Sequence, residues 1–393
     1  RLHNQGLWGF EIAEDSKTFF QCFKVAGYTT WATGKNEPGK TGHFLRSFSA
    51  GNKILFRGMT RTQYNMPLFA YPDDGTFKGK KPIIHKDKHS AEIYADAAIN
   101  FIESRKDDAP PFLMYVSFQT PHDPRQAPAE YHAKYKPEDM PLPLAFMPDH
   151  PFDNGMLKIR DEKLAKFPRT ESEIKKHLAD FYATMEHTDT QIGRVMAALK
   201  ASGEWDNTII VYTADNGLAL GSHGLMGKQN LYEHSVKVPL VIAGPGVPTG
   251  ERRDQLVYIY DIMPTLTRIA GVKNPRDNEF RELRPVFKDP DWLHRPFLYF
   301  AFMDWQRALQ QDGYKLIEYC VNGERYTQLF HLDNDPQELK NLAEDPKHAH
   351  RIQTMRGQLK LSSRSLGDSN TPSAFTTKMG ESFWTTFHGK PKP

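Results

Sequence analysis

Short runs of uninterrupted apolar residues, set between segments of helical period, constrain this chain most. Phe112–Phe118 (FLMYVSF), Thr208–Thr213 (TIIVYT) and Val238–Ala243 (VPLVIA) are too short for buried helices and are rich in β-branched and aromatic residues. Unbroken apolar runs of this length suit strands buried on both faces, as in parallel sheets. Tyr28–Thr33 reads as a further strand. The segments between are amphipathic. Thr18–Ala26 places Phe19, Phe20, Phe23 and Ala26 at helical spacing and stops at Gly27. His89–Ser104 lines up Ile93, Ala97 and Phe101. Thr170-Glu171-Ser172-Glu173 has the form of a capping box, and it opens a long helix through Ile174, Leu178, Phe181, Met185, Ile192, Val195 and Leu199 that ends at Gly203. Asp261–Ala270 is a shorter helix. Residues 36–90, rich in Gly, Lys and Pro, are predicted to be long loops with short elements, and the proline-rich stretch 124–170 an irregular excursion. This alternation predicts an α/β fold, a large, mostly parallel mixed sheet between helices.

The texture changes near residue 290. Phe297–Phe302, Tyr314–Tyr319 and Tyr326–Leu332, separated by polar turns, predict a small C-terminal antiparallel sheet. An amphipathic helix over His348–Leu361 and a polar tail follow. The division is thus 1–288 for the main domain and 289–393 for a smaller subdomain. A hydrophobic content of 39% against 25% charged residues excludes a disordered chain. The 51 Lys and Arg against 48 Asp and Glu form no long block of one sign, which argues against a nucleic-acid-binding tail. No apolar run approaches the ~18 residues of a membrane span. Two cysteines, Cys22 and Cys320, exclude a disulfide framework and a cysteine-based zinc site; they read as buried free thiols, with one bridge as the alternative.

In parallel sheets ligands sit beyond the carboxyl ends of strands. Three strand ends here carry polar groups: Lys35, His122, and Asp215 with Asn216. If those strands are neighbours, the groups converge. Asp215-Asn216 offers two oxygens of the kind a hard cation takes, although Asp-Asn-Gly is equally an ordinary turn tripeptide. Gly221-Ser222-His223-Gly224-Leu225-Met226-Gly227-Lys228 can bring a lysine charge close to an anion, or can be a flexible surface loop. His122, held between Pro121 and Pro124, suits a fixed donor or acid, and equally a structural histidine.

Together these segments resemble the formylglycine-dependent sulfatases of the alkaline-phosphatase superfamily. The resemblance rests on Thr18–Lys35, Pro121-His122-Asp123-Pro124, Asn207–Pro239, Asp261–Leu266 and Gln328–Ala343, in this order and spacing. It implies a sulfatase-like fold and hydrolysis of a sulfate ester. In the family an aldehyde hydrate made from a cysteine in Cys-x-Pro-Ser-Arg attacks sulfur, and a Ca²⁺ ion holds the sulfate oxygens. By motif match, Asp215 and Asn216 are calcium ligands, Lys228 and His122 contact sulfate, Lys35 steadies the nucleophile and His223 stands at the pocket rim. Trp305 and Arg307, in Phe297–Leu309, resemble the sugar-gripping residues of the carbohydrate-active branch, though core aromatics and a solvated Arg fit them as well. The substrate implied is a sulfated small molecule, preferably a glycan, and the implied location periplasmic or secreted.

Two departures stand out. Cys-x-Pro-Ser-Arg is absent from these residues, and Arg1–Gly6 reads as mid-sequence, so the chain is expected to start just downstream of the nucleophile. Where the family has Gly-Lys-Trp-His, this chain reads Gly34-Lys35-Asn36-Glu37, with His43 as a candidate stand-in. The competing readings are a sulfatase-like binding module without a nucleophile and a phosphodiesterase or phosphonate hydrolase of the same superfamily. Lys228 and Asn216, in place of His ligands, favour sulfate and one metal over the latter.

Overall fold

The computed structural model describes residues 17–36, 41–56, 60–273, 280–303 and 305–368. Helix α1 (Phe19–Val25) starts where Thr18 Oγ1 accepts the Gln21 amide, and it buries Cys22 and Phe23 against Met263 and Val272. Strand β1 (Thr29–Asn36), helix α2 (Thr41–Ser47), strand β2 (Ala50–Phe56), the short β3 (Met66–Leu68) and β4 (Ile83–His85), helix α3 (Ser90–Glu103) and strand β5 (Phe112–Ser117) follow. β1 is the middle strand of a parallel sheet ordered β2-β1-β5. β2 lies within the stretch expected to be loops. Apart from Ala50, only its last three residues, Ile54-Leu55-Phe56, are apolar, and its strand conformation comes from the ladder with β1, a pairing invisible to local pattern.

Helix α4 (Ala129–His132) is the one α-helical turn in the proline-rich excursion among the described residues. Helix α5 (Glu171–Ala201) then crosses α3, with the His89 and His187 rings edge to face at 4.4 Å. Strand β6 (Ile210–Thr213), helix α6 (Glu233–Val236) and strand β7 (Leu240–Ala243) come next, and β6 pairs with β7 antiparallel. The apolar runs expected to be buried on both faces are not. Tyr115 of β5, Tyr212 of β6 and Val241 of β7 are 39%, 40% and 57% exposed. Among the described residues β5 has a ladder partner on one side only, and β6 and β7 have only each other, so part of their apolar surface stays uncovered.

Helices α7 (Ile262–Ile269) and α8 (Arg284–Lys288) lead to an antiparallel sheet of β8 (Phe297–Phe302), β9 (Gln306–Gln311), β10 (Tyr314–Val321) and β11 (Glu324–His331), ordered β11-β10-β9-β8. Helix α9 (Ala349–Ser365) covers one face, packing Ile352, Met355 and Leu359 on Leu309, Leu316 and Leu329. The other face, through Ala308, Ile317 and Phe330, meets Ala219, Leu225 and Tyr232 of the main body. Cys22 and Cys320 are free and buried. Among the described residues no helix is long and apolar enough to cross a membrane.

Several histidines sit in this interior as neutral rings. His89 caps α3, its Nδ1 accepting the Ala91 amide at 3.2 Å while Nε2 donates to the Gln126 carbonyl at 2.9 Å. Burial holds His89, His150 and His187 down to about 4 from an ordinary 6.5. The unfolded chain therefore binds more protons than the folded one between these values, and stability falls as the pH falls through that window. Melting temperature measured at steps from pH 6.5 to about 4 is expected to decline throughout; a flat profile would refute the neutral assignment.

Candidate active site

The carboxyl ends of β1 and β5 meet tightly. Gly34 pairs with Ser117 at a φ of +88°, and a Cβ there would overlap the Ser117 carbonyl oxygen. The β1–β2 register also shifts between Ala32 and Gly34, and irregularities of this kind re-aim the side chains beside them. The next side chain is the half-buried Lys35. β5 runs out through Gln119 and Thr120 to His122. Buried Gln63 fastens that turn, donating to the His122 and Pro124 carbonyls at 3.1 and 3.2 Å. His122 Nδ1 lies 2.9 Å from the Asp123 carbonyl oxygen and 3.4 Å from its carboxylate. Both are acceptors, so Nδ1 carries the hydrogen and a neutral ring presents the Nε2 lone pair.

The glycine-rich segment is not a flexible surface loop. It folds back on itself, with Gly221 N to Leu225 O at 2.7 Å and Ala219 N to Gly227 O at 2.9 Å. Gly224, at φ +72°, lies so close to the Asp149–His150 backbone that a Cβ would overlap it. Glu162, itself buried, accepts the Met226 and Gly227 amides, both at 2.9 Å, and Arg169 Nη2 at 2.6 Å. Its neighbour Asp161 accepts Gln229 Nε2 at 2.8 Å and lies 3.9 Å from Lys228 Nζ. Arg160 spans Asp161 and Asp123. Asp123, Arg160, Asp161 and Glu162 are thus site residues that the sequence reading did not single out. Asp123 could have been found as the carboxylate next to His122; the others lie in the excursion, which has no period.

The electrostatics show which groups share one neighbourhood. His122 is held down to about 4, chiefly by burial and then by the Lys228 and Lys35 charges, with Arg160 adding and Asp161 opposing. Burial also lowers Lys228; Asp161 and Asp215 oppose this, while Lys35 and Arg160 reinforce it. Burial pushes Asp161 up, but Gln229, Lys228 and Arg160 win and hold it below the usual carboxylate range. His122, Asp123, Arg160, Asp161 and Lys228 thus form a continuous chain of charged neighbours, with the Lys35 charge acting on both His122 and Lys228 and the Asp215 charge on Lys228. Asp215 is exposed and its Oδ1 accepts the Asn216 amide at 2.9 Å, while Asn216 is half-buried beside it. These two offer oxygens suited to a hard cation. Among the described residues, however, no three His, Cys, Asp or Glu side chains gather to hold a metal, and two oxygens fall short of the ~6–8 that Ca²⁺ takes.

Four expected residues lie elsewhere. His223 is not at a rim: it is 7% exposed, stacked on Tyr232 at 3.9 Å, with Nε2 3.0 Å from the Glu338 carbonyl oxygen. Trp305 is buried among Met156, Met303 and Val321, tight against Gly155. Arg307 is fully buried, chelating Asp368 through Nε at 2.6 Å and Nη2 at 3.0 Å. Neither can grip a sugar from there, since Trp305 just before β9 and Arg307 within it are both buried in the interior. His43 sits on α2 against Arg46 Nη2. Glu37 lies outside the described residues.

The sulfatase family profile matches residues 2–272, and that of the C-terminal region of N-sulphoglucosamine sulphohydrolase matches residues 221–365. The multifunctional alkaline phosphatase superfamily protein PehA of Trinickia caryophylli is 31% identical over 298 residues, covering 68% of this chain and 58% of that protein. The arylsulfatase of Clostridium perfringens is 30% identical over 277 residues, 68% of this chain and 56% of its own. The matches thus span little more than half of these relatives. Among solved structures, BT4656 in complex with its substrate D-glucosamine-2-N,6-O-disulfate superposes with a TM-score of 0.74 at 23% identity, over 92% of this chain and 84% of that one, a likeness of fold.

Two outcomes follow from the placements. Arg307→Ala breaks a buried bidentate pair and is expected to cost about 3–5 kcal/mol of stability, read as a lower urea midpoint; an unchanged midpoint would contradict the buried position. Lys228→Met removes a charge that holds His122 down, so the His122 pKa, followed by NMR, is expected to rise from about 4 towards 6.5. No movement would mean that the two side chains do not share a site.

Proposed function

The chain belongs to the sulfatase family, and on that premise we propose that it forms the sulfate-handling wall of a carbohydrate sulfatase, which releases sulfate from a sugar sulfate ester. The shared neighbourhood of Lys35, His122 and Lys228, tied together through Asp123, Arg160 and Asp161, carries this reading. Three basic groups around one point, two of them lysines and one a neutral imidazole, suit an oxyanion in a partly dry site. The glycan as substrate is supported by the sugar disulfate bound to BT4656 and by the match over residues 221–365.

In this reading the Lys228 charge faces the non-bridging sulfate oxygens, kept in register by Asp161 and by the Glu162-anchored backbone of Met226 and Gly227. His122 acts at the leaving oxygen. Burial, and after it the Lys228 and Lys35 charges, hold its pKa down to about 4. A bound sulfate monoester offsets those charges, so the imidazole takes up a proton at Nε2. It then delivers that proton to the sugar oxygen as the S–O ester bond breaks. Lys35 adds charge from the end of β1. The attacking group is a formylglycine hydrate from outside these residues: Cys22 lies inside α1 and Cys320 inside β10, both buried in the core. Asp215 and Asn216 would supply part of a Ca²⁺ shell, and the ion when bound would polarise the sulfate.

Lys228→Ala in the full-length protein is expected to lower kcat by about 10²–10³, equivalent to ~2.7–4 kcal/mol of barrier, with an unchanged melting temperature. Near-normal sulfate release would remove Lys228 from the site. Elemental analysis of the purified full-length protein is expected to give one calcium and no zinc; stoichiometric zinc would contradict the all-oxygen site. The 393 residues expressed alone are expected to turn over no sulfate ester, and turnover sensitive to Lys228→Ala would place the nucleophile within them.

A further inference from the structure

Arg125, one residue beyond Pro124, leaves a hydrogen-bonding edge unused. Its Nη1 meets His177 Nδ1 at 2.9 Å, and His177 Nε2 lies 3.1 Å from the Leu164 carbonyl oxygen. The carbonyl can only accept, so Nε2 carries the imidazole hydrogen and Nδ1 receives the Arg125 proton. The guanidinium is therefore anchored at one corner by an oriented, neutral ring. Nε and Nη2 are closed to solvent and have no hydrogen-bond partner.

Those two nitrogens form the side edge of the guanidinium, the fork that grips a carboxylate or sulfate through two parallel bonds. Other arginines in this chain use that edge. Arg307 places Nε and Nη2 on the two oxygens of Asp368, Arg295 places the same pair on Asp261, and Arg169 places them on the Gly224 carbonyl and the Glu162 carboxylate. Leaving buried donors unmet is costly, more so for a charged group. Burial lowers Arg125 to about 10, opposed by Asp180 and Asp161. Asp161 is also the carboxylate beside Lys228. Arg125 thus follows directly on the Gln63-fastened turn that carries His122, and it shares the Asp161 carboxylate as a neighbour with Lys228.

We propose that the Nε/Nη2 edge of Arg125 binds a second oxyanion of the substrate, a sulfate or a carboxylate on the sugar whose sulfate ester lies at Lys228 and His122. This rests on the sulfatase reading for the position of the first sulfate. The second group reaches the edge by displacing the side chains that close it off, and the two unmet hydrogen bonds favour that exchange. Arg125 then sets specificity for a doubly anionic sugar, and lysine, a point charge without a fork, does not replace it.

The test compares the full-length protein with Arg125→Ala and Arg125→Lys on three substrates. These are N-acetylglucosamine 6-sulfate, glucosamine 2-N,6-O-disulfate and a sulfated uronic acid. The preference for a doubly over a singly anionic substrate, as a ratio of kcat/KM, is expected to fall about 10- to 100-fold in both variants. The substrate that shows the drop tells whether sulfate or carboxylate is the second group. Equal losses on all three substrates, or a preserved ratio, would overturn the assignment and leave Arg125 as a structural prop for His177. If Arg125→Ala fails to fold, Arg125→Lys decides alone. Absence of sulfate release from all three by the unmodified protein would instead refute the sulfatase reading. Arg125 is then judged by binding: the disulfate is expected to raise the melting temperature more than the monosulfate, and Arg125→Lys to abolish the difference. Equal protection of the unmodified protein by both sugars would reject the subsite.

Discussion

Two adjacent carboxylates, Asp161 and Glu162, hold the site in shape. They face opposite tasks. Glu162 is buried and takes the amides of Met226 and Gly227 together with Arg169, so it fixes the backbone just before Lys228. Asp161 faces the crevice and fixes side chains, Gln229 by hydrogen bond and Lys228 by charge. Arg169 closes the arrangement by also donating to the Glu162 and Gly224 carbonyls. A glycine-rich segment would otherwise gain entropy by moving. Here two of its amides bond one carboxylate, others bond back within the segment, and its Gly224 turn is wedged against Asp149 and His150. The lysine is therefore presented from a rigid base.

That rigidity matters because of what the crevice contains. Lys35, Lys228 and Arg160 bring positive charge near a histidine that burial already keeps neutral. Such a cluster is unfavourable empty and favourable around an anion, since a preorganised positive field costs no reorganisation when negative charge develops. Asp161, Asp123 and Asp215 temper the field. The balance selects for an anion without trapping a bare cation excess in the interior.

Much of the frame was legible from local pattern. α3 and α5 appear where helical period and a cap coincide, and β1, β5, β6 and β7 within a few residues of their apolar runs. β2 and β9 were not, because Ala50–Phe56 and Gln306–Gln311 carry too few apolar residues; the ladder with β1 makes β2 a strand, and hairpins with β8 and β10 on either side make β9 one. The same split runs through the site. Lys35, His122 and Asp215 are readable as polar groups at strand ends. Asp161, Glu162 and Arg125 act through partners far along the chain, 64 and 65 residues away for the Glu162 contacts to the loop, and no spacing rule reaches that far. Trp305 and Arg307 misled for a related reason. An aromatic and an arginine after a strand look like a sugar platform, but Trp305, just before β9, is buried against Gly155, and Arg307 within β9 is buried on Asp368.

The C-terminal sheet takes part in this arrangement from behind. Lys315 of β10 is fully buried and meets Glu233 at 2.9 Å and Glu338 at 3.0 Å. Glu338 in turn accepts the Glu233 amide at 2.6 Å, and its carbonyl faces His223 Nε2. His223 stacks on Tyr232, whose hydroxyl bonds Gln328 of β11 at 2.8 Å. Removing one partner from such a buried ionic group leaves a charge in low dielectric, a larger loss than the group's net worth when intact. The segment carrying Lys228 is thus held from two sides, by buried Glu162 at Met226 and Gly227 and by the Lys315–Glu338 group at His223. The sheet thus braces the segment at His223, five residues before Lys228, and so helps to fix the base from which the lysine is presented.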